Sequence, residues 1–291
     1  MVAPYRKARS SISGVVCCVS LLVESLPVMA RDFTTLNEIT RIVASSPCTA
    51  TDWNDRGRAP RAYLVGMSLV FAKSVCDASR ADVVVASRRV HATHTRTDGL
   101  AVYESKFKEL GLQNGVSGLD TLRHTYLLLL GLGMRESSGK YCEGRDVSQC
   151  FVDPKSAEAG PFQTSWGVHR ADPTLSGLMH RYHADKSGCM LEHFKDKISC
   201  RIWRSRNRRC PDATSDVVGT GPGAEWQRLT KTCPAFATEY AAVVLRTSGG
   251  LSGEFNPIRK QQAQLIPACE AMLKQVQTYV TDNKESCSSL P

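Results

Sequence analysis

The segment Leu127-Leu128-Leu129-Leu130-Gly131-Leu132-Gly133-Met134-Arg135-Glu136-Ser137-Ser138-Gly139 runs an apolar stretch into a single carboxylate. A carboxyl group carried to the rim of a buried helix is partly desolvated, which raises its pKa and favours the protonated form. That is the state a general acid needs. Taken alone, Glu136 would read as a helix-end glutamate paired with Arg135, Lys140 or Arg145. The apolar run before it and the segment Ala159-Gly160-Pro161-Phe162-Gln163-Thr164-Ser165 after it favour a proton donor. Gly160-Pro161 reads as a tight bend, and Gln163 either offers its amide to a ligand or caps that bend.

Other chemistries find less support. The seven histidines form no compact metal motif. His91 with His94, and His180 with His183, are each about one helical turn apart, but no third ligand accompanies either pair. The cysteines lack the spacing of a zinc knuckle, and neither a glycine-rich phosphate loop nor a dinucleotide fingerprint is present. No cofactor or metal is therefore expected. Cys142 or Cys150 as a nucleophile is disfavoured, because disulfide pairing would consume the thiolate.

Helices are expected to position these groups. Leu122, Tyr126, Leu129 and Leu130 fall on one stripe, and Leu127, Leu128 and Leu132 broaden it until the helix is apolar nearly all round, the mark of burial on most sides. Asp120 or Ser117 is the expected cap, Gly139 the stop, and Gly131 and Gly133 allow close neighbours. Helical spacing also predicts helices over 33–43, 60–76, 100–110, 177–182, 190–198, 225–245 and 261–280. The 81–86 segment fits either a strand or a helix. A small sheet or hairpin is expected between Tyr141 and Phe162. Pro211 to Gly223 reads as an internal loop.

The N-terminus reads as an export signal over residues 1–30. Arg6, Lys7 and Arg9 precede a mostly apolar Ile12–Val23, with Pro27-Val28-Met29-Ala30 at the cleavage positions. The apolar run is too short to span a bilayer, so no stable transmembrane segment is expected once the signal is removed. Ten of the twelve cysteines lie beyond residue 30, an even number that in an exported chain implies up to five disulfides. Connectivity is not legible, although Cys142 and Cys150 could close a short loop just past Glu136. The net charge of +9 draws the chain toward anionic walls or membrane surfaces. Arg201, Arg204, Arg206, Arg208 and Arg209 around Trp203 resemble a nucleic-acid patch but equally a solvated loop between Cys200 and Cys210. Export removes most nucleic-acid partners, so none is expected.

The pair Glu136-Ser137 followed by Gly160-Pro161-Phe162-Gln163 resembles the core of the lysozyme-like superfamily, in particular goose-type lysozymes and lytic transglycosylases (SLT-like domains). The resemblance covers residues 119 to 170. It implies a mainly α, disulfide-stabilised fold, a lysozyme-like helical domain with a small β-hairpin region. On that reading residues 31–110 form a helical region packed on a catalytic domain over 111–285, and 286–291 form a tail. It implies an exported enzyme, periplasmic or secreted, that cuts β-1,4 bonds of peptidoglycan or a related aminosugar polymer. Glu136 would be the general acid, and Asp146 the second carboxylate, with Asp153 an alternative and Glu158 ranked below. Ser137, Gly160, Phe162, Gln163, Thr164 and Tyr240 would bind substrate; Phe162 or Trp166 could stack on sugar faces, although core packing is the more common fate of such residues, Phe162 above all. Thr164 stands where goose-type enzymes carry an aspartate, and the third transglycosylase motif is not plain, so hydrolysis and closure to an anhydro sugar both stay open. The alternative is a non-catalytic secreted wall-binding protein on the same fold.

Overall fold

A computed structural model describes residues 34–144, 153–200 and 217–291. Its elements run α1 (Thr34–Ser45), β1 (Asp52–Trp53), β2 (Gly57–Arg58), α2 (Arg61–Cys76), α3 (Ala81–Ala86), α4 (Gly99–Val102), α5 (Glu104–Glu109), α6 (Leu119–Ser137), β3 (Glu158–Ala159), β4 (Thr164–Ser165), α7 (Pro173–Ala184), α8 (Leu191–Lys195), α9 (Pro222–Thr232), α10 (Pro234–Thr247), α11 (Asn256–Arg259) and α12 (Pro267–Asp282). The described chain is mainly helical. Its strands make two antiparallel hairpins, β1 with β2 and β3 with β4.

The core forms around α6 and α2. From Thr121 to Met134 every residue of α6 is buried, as the unbroken apolar surface of its sequence demands. α2 packs on α6 and also meets α1, α8, α10 and α12. Residues from the 31–110 stretch therefore share one core with those of 111–285. Tyr63 on α2 ties the two central helices, its hydroxyl donating to the carbonyls of Leu129 (3.2 Å) and Leu130 (3.0 Å). The glycines of α6 are contact points. A Cβ on Gly131 would come within 2.2 Å of the Gln264 carbonyl oxygen, and one on Gly133 within 2.2 Å of Tyr63 Oη.

Charged groups inside this core are paired, as their desolvation requires. Glu239 accepts from Arg80 (2.6 Å), Arg181 (2.5 Å) and Tyr182 (2.9 Å). Arg246 pairs with Asp98 at 2.9 Å and donates to the carbonyls of Ala86 and Arg88. Both networks clamp α10 to the segments around α3.

Several sequence expectations need correction. The helix expected over 225–245 is two helices, because Pro234 supplies no N–H and begins α10 at its first turn. The 100–110 helix is likewise split into α4 and α5 at Tyr103. The 81–86 segment is helical. α6 has no side-chain cap: Gly118 at φ +145° leads into it, and the Asp120 carboxylate accepts instead from Arg123 (2.5 Å) and Gln277 (3.1 Å). The hairpin sits later than expected, centred on the Gly160–Gln163 turn, with Glu158 opposite Ser165 and Ala159 opposite Thr164.

Four disulfides lie among the described residues: Cys48–Cys269, Cys76–Cys287, Cys142–Cys200 and Cys189–Cys233. Cys142 therefore does not close a local loop with Cys150; it reaches residue 200, while Cys150 and Cys210 lie outside the described residues. The final segment is not a free tail, since Cys287 is bonded to Cys76 and Lys73 donates to the Pro291 carbonyl at 2.9 Å. Disulfides on this scale fit an oxidising, exported setting. No helix among the described residues is long and apolar enough to cross a membrane.

Candidate functional site

The polar end of α6 is shaped by its last turn. Ser138 (φ +56°) and Gly139 (φ +75°) adopt left-handed backbone. Their N–H groups return to the carbonyls of Met134 (3.0 Å) and Gly133 (3.2 Å), which closes the helix just past Glu136. Glu136 is half-buried there. Burial pushes its carboxyl pKa up to about 8, and the negative charge of Glu158 on β3 adds to the rise; Arg56, Arg135 and Arg259 oppose it. The protonated form is therefore populated at neutral pH, while a neighbouring carboxylate and three guanidiniums set its electrostatics.

The second sequence segment is brought to the same place. Phe162 lies against α6 at Gly133, where a Cβ would come within 3.0 Å of Phe162 Cε1. Gly160 takes φ +76° and faces Thr230 so closely that a Cβ would meet Thr230 Cγ2 at 2.3 Å. Its N–H donates to the Glu143 carbonyl at 2.8 Å, linking the hairpin turn to the chain just beyond Glu136. Glycine is thus required at 160 both for backbone conformation and for space.

A further carboxylate, Glu254, lies in the loop before α11 and bonds to the β3–β4 hairpin. Burial raises the Glu254 pKa, while its hydrogen bonds to Ser165 of β4 and the charge of Arg259 pull it back. Arg259 thereby couples Glu254 to Glu136, since its charge acts on both. It is held by a hydrogen bond from its guanidinium to the Gly253 carbonyl. On the opposite side the β1–β2 hairpin contributes Arg56, which donates to the Arg135 carbonyl, and Asp55, which pairs with Arg135 at 3.3 Å. Neither Glu254, Arg259 nor Arg56 belongs to a sequence motif.

Most residues expected to bind substrate are part of the frame. Ser137 is buried and its hydroxyl donates back to the Gly133 carbonyl at 3.0 Å. Phe162 is 1% exposed and Thr164 1%, so both belong to the core face of the hairpin, and Phe162 offers no sugar platform. Tyr240 is fully buried among Trp226 and Phe236, with its hydroxyl donating to the Ser165 carbonyl at 3.3 Å. Tyr182 is likewise buried, on Glu239. Gln163 stands at the site but closes its own turn. With φ +48°, its Nε2 donates to the Gly160 carbonyl at 3.0 Å. Trp166, half-buried at the end of β4, stacks on His169 at 4.0 Å between ring centroids. Asp146 lies outside the described residues. Asp153 caps a surface turn by accepting from the Lys155 N–H at 2.9 Å.

Two cavities open beside this helix end. One, of about 420 Å³, is lined by Arg135 together with residues of the β1–β2 hairpin, α5 and the 261–265 segment. The other, of about 480 Å³, is lined by Ser138 and Lys140, the start of α2 and residues 196–199. Arg135 and Ser138, which bracket Glu136-Ser137 in the chain, thus face different openings. Among the described residues no group of three or more His, Cys, Asp or Glu side chains could hold a metal ion. Compared with protein families, curated proteins and solved structures, the chain has no match.

Proposed function

We propose that this protein is an exported, lysozyme-like enzyme that cleaves β-1,4 glycosidic bonds of peptidoglycan or a related aminosugar polymer, with Glu136 as general acid. The observation that carries this reading is the Glu136 carboxyl itself, half-buried at the end of α6 and pushed up to about 8 beside the hairpin of Glu158. Such a carboxyl holds a proton at neutral pH and can deliver it to a leaving glycosidic oxygen.

Glycosidic cleavage also needs negative charge facing the oxocarbenium-like centre. Glu158 supplies it on this reading. Burial together with the charge of Glu158 makes Glu136 hard to ionise, as a proton donor requires. The surrounding arginines suit a polyanionic wall, and the disulfides suit an extracytoplasmic setting. Cleavage proceeds by hydrolysis or by transglycosylation, and product mass separates them: an anhydro end is one water lighter than a reducing end.

The test is digestion of purified cell-wall sacculi with wild type and with Glu136→Gln. The reading requires soluble muropeptides from the wild type and none from the variant. Undigested sacculi with folded wild type, or equal release by E136Q, would refute it.

A further inference from the structure

The loop between α3 and α4 carries Arg88, Arg89 and Arg96, all exposed. Their side chains form no ion pair or hydrogen bond among the described residues. Two other segments are tied to this loop through the backbone. At its start, Gly118 donates to the Ser87 carbonyl (3.0 Å) and Val90 to the Asn114 carbonyl (2.7 Å). At its end, Leu251 donates to the Thr95 carbonyl (2.8 Å) and Ser252 to the Arg96 carbonyl (3.0 Å). Beneath it, the buried Arg246 donates to the Ala86 and Arg88 carbonyls and pairs with Asp98. The loop is thus a fixed platform.

Charge on this surface has one sign. Residues 84–97, 113–119 and 248–253 contain no aspartate or glutamate. The carboxylates that border them are engaged by other groups: Asp82 by Arg80 and Arg181, Asp98 by Arg246, Asp120 by Arg123, and Glu254 by Ser165. The same segments hold all three of the large hydrophobic residues that are exposed among the described residues, Val84 at 52%, Val116 at 79% and Leu251 at 50%. Two independent features, unpaired cations and water-exposed aliphatic side chains, therefore coincide.

That coincidence selects the partner. A soluble polyanion would satisfy the arginines and leave the aliphatic residues in water. A protein interface places apolar residues at its centre and charges at its rim; here the arginines lie on the loop and the aliphatic residues on the segments that border it. An anionic bilayer suits both. Guanidiniums bind headgroup phosphates, and aliphatic side chains enter the boundary between headgroups and acyl chains.

We propose that this surface docks the protein on an anionic lipid bilayer, with Arg88, Arg89 and Arg96 on the phosphates and Val84, Val116 and Leu251 in the interface. The proposal is independent of the glycan-cleaving reading, since no residue of the Glu136 site takes part. Purified protein is sedimented with vesicles of phosphatidylglycerol mixed with phosphatidylcholine, and with vesicles of phosphatidylcholine alone. The wild type should bind the first and not the second. An Arg88→Gln/Arg89→Gln/Arg96→Gln variant should bind about a hundredfold more weakly, at about fivefold for each charge lost near such a surface. A Val84→Ser/Val116→Ser/Leu251→Ser variant keeps every charge and should bind about tenfold more weakly, from partial burial of three side chains. All six residues are exposed, so both variants should fold. Inorganic polyphosphate, titrated in parallel, should respond to the arginine changes alone. Wild-type vesicle binding by either variant overturns the proposal, and so does a wild type that binds polyphosphate but no vesicle, or both vesicles equally.

Discussion

Replacing Glu136 with glutamine should remove activity and, at the same time, stabilise the protein in a pH-dependent way. The carboxyl moves from an ordinary 4.5 to about 8 on folding. Below pH 4.5 both folded and unfolded chains hold the proton, and stability is undiminished. Between 4.5 and 8 the unfolded chain releases it while the folded chain keeps it, so stability falls as pH rises; above 8 the loss levels off. At 1.4 kcal/mol per pKa unit the loss reaches ~3 kcal/mol at pH 7 and ~5 kcal/mol well above pH 8. Glutamine has the same shape and no proton to lose. The melting temperature of E136Q should therefore match the wild type near pH 4 and exceed it by ~6 °C or more at pH 7, given about 2–4 °C per kcal/mol for a domain of this size. Thermal unfolding of both proteins from pH 4 to 9, with disulfides intact, measures this directly. A difference that stays flat across that range would refute the claim that folding holds this carboxyl uncharged.

Two neighbours of Glu136 should move its titration in opposite directions. Glu158→Gln removes the anion that raises the Glu136 pKa and should shift the alkaline limb of the pH–rate profile downward. Arg259→Ala removes a cation that lowers it and should shift that limb upward; shifts of the same sign would contradict the assigned electrostatics. Gly133→Ala places a methyl 2.2 Å from Tyr63 Oη and 3.0 Å from Phe162 Cε1. It should cost ~1–3 kcal/mol by overpacking and reduce activity by pushing the hairpin away from Glu136. A variant with wild-type denaturation midpoint and turnover would show that this contact does not position the site.

The parts of the site legible in the sequence are those carried by strong local signals. The leucine run announces α6, and Gly139 announces its end, because a helix apolar on every side and followed by a residue tolerant of left-handed backbone has few other solutions. The bend at Gly160-Pro161 is legible for the same reason. For Phe162 core packing is the readier expectation, and Gly133 of the neighbouring helix meets it; the burial of Thr164 and Tyr240 has no comparable local signal. Glu254 and Arg259 leave no local trace at all. Only the tertiary arrangement ties Glu254 to Ser165 of β4 and lets the Arg259 charge act on Glu136, and Arg56 arrives from a hairpin some eighty residues upstream. The break between α9 and α10 was available in Pro234, whose missing N–H ends one helix and starts the next, but the apolar stripe running through it masks the signal. Disulfide connectivity depends wholly on this tertiary arrangement, which is why Cys142 meets Cys200 rather than its near neighbour.

The proton on Glu136 can be followed by itself. Carbon-13 labelling of glutamate carboxyls, with the Glu136 resonance assigned by its disappearance in E136Q, gives the titration midpoint of that one group. The account predicts a midpoint near 8, and a midpoint near 4.5, the ordinary value for glutamate, would contradict it.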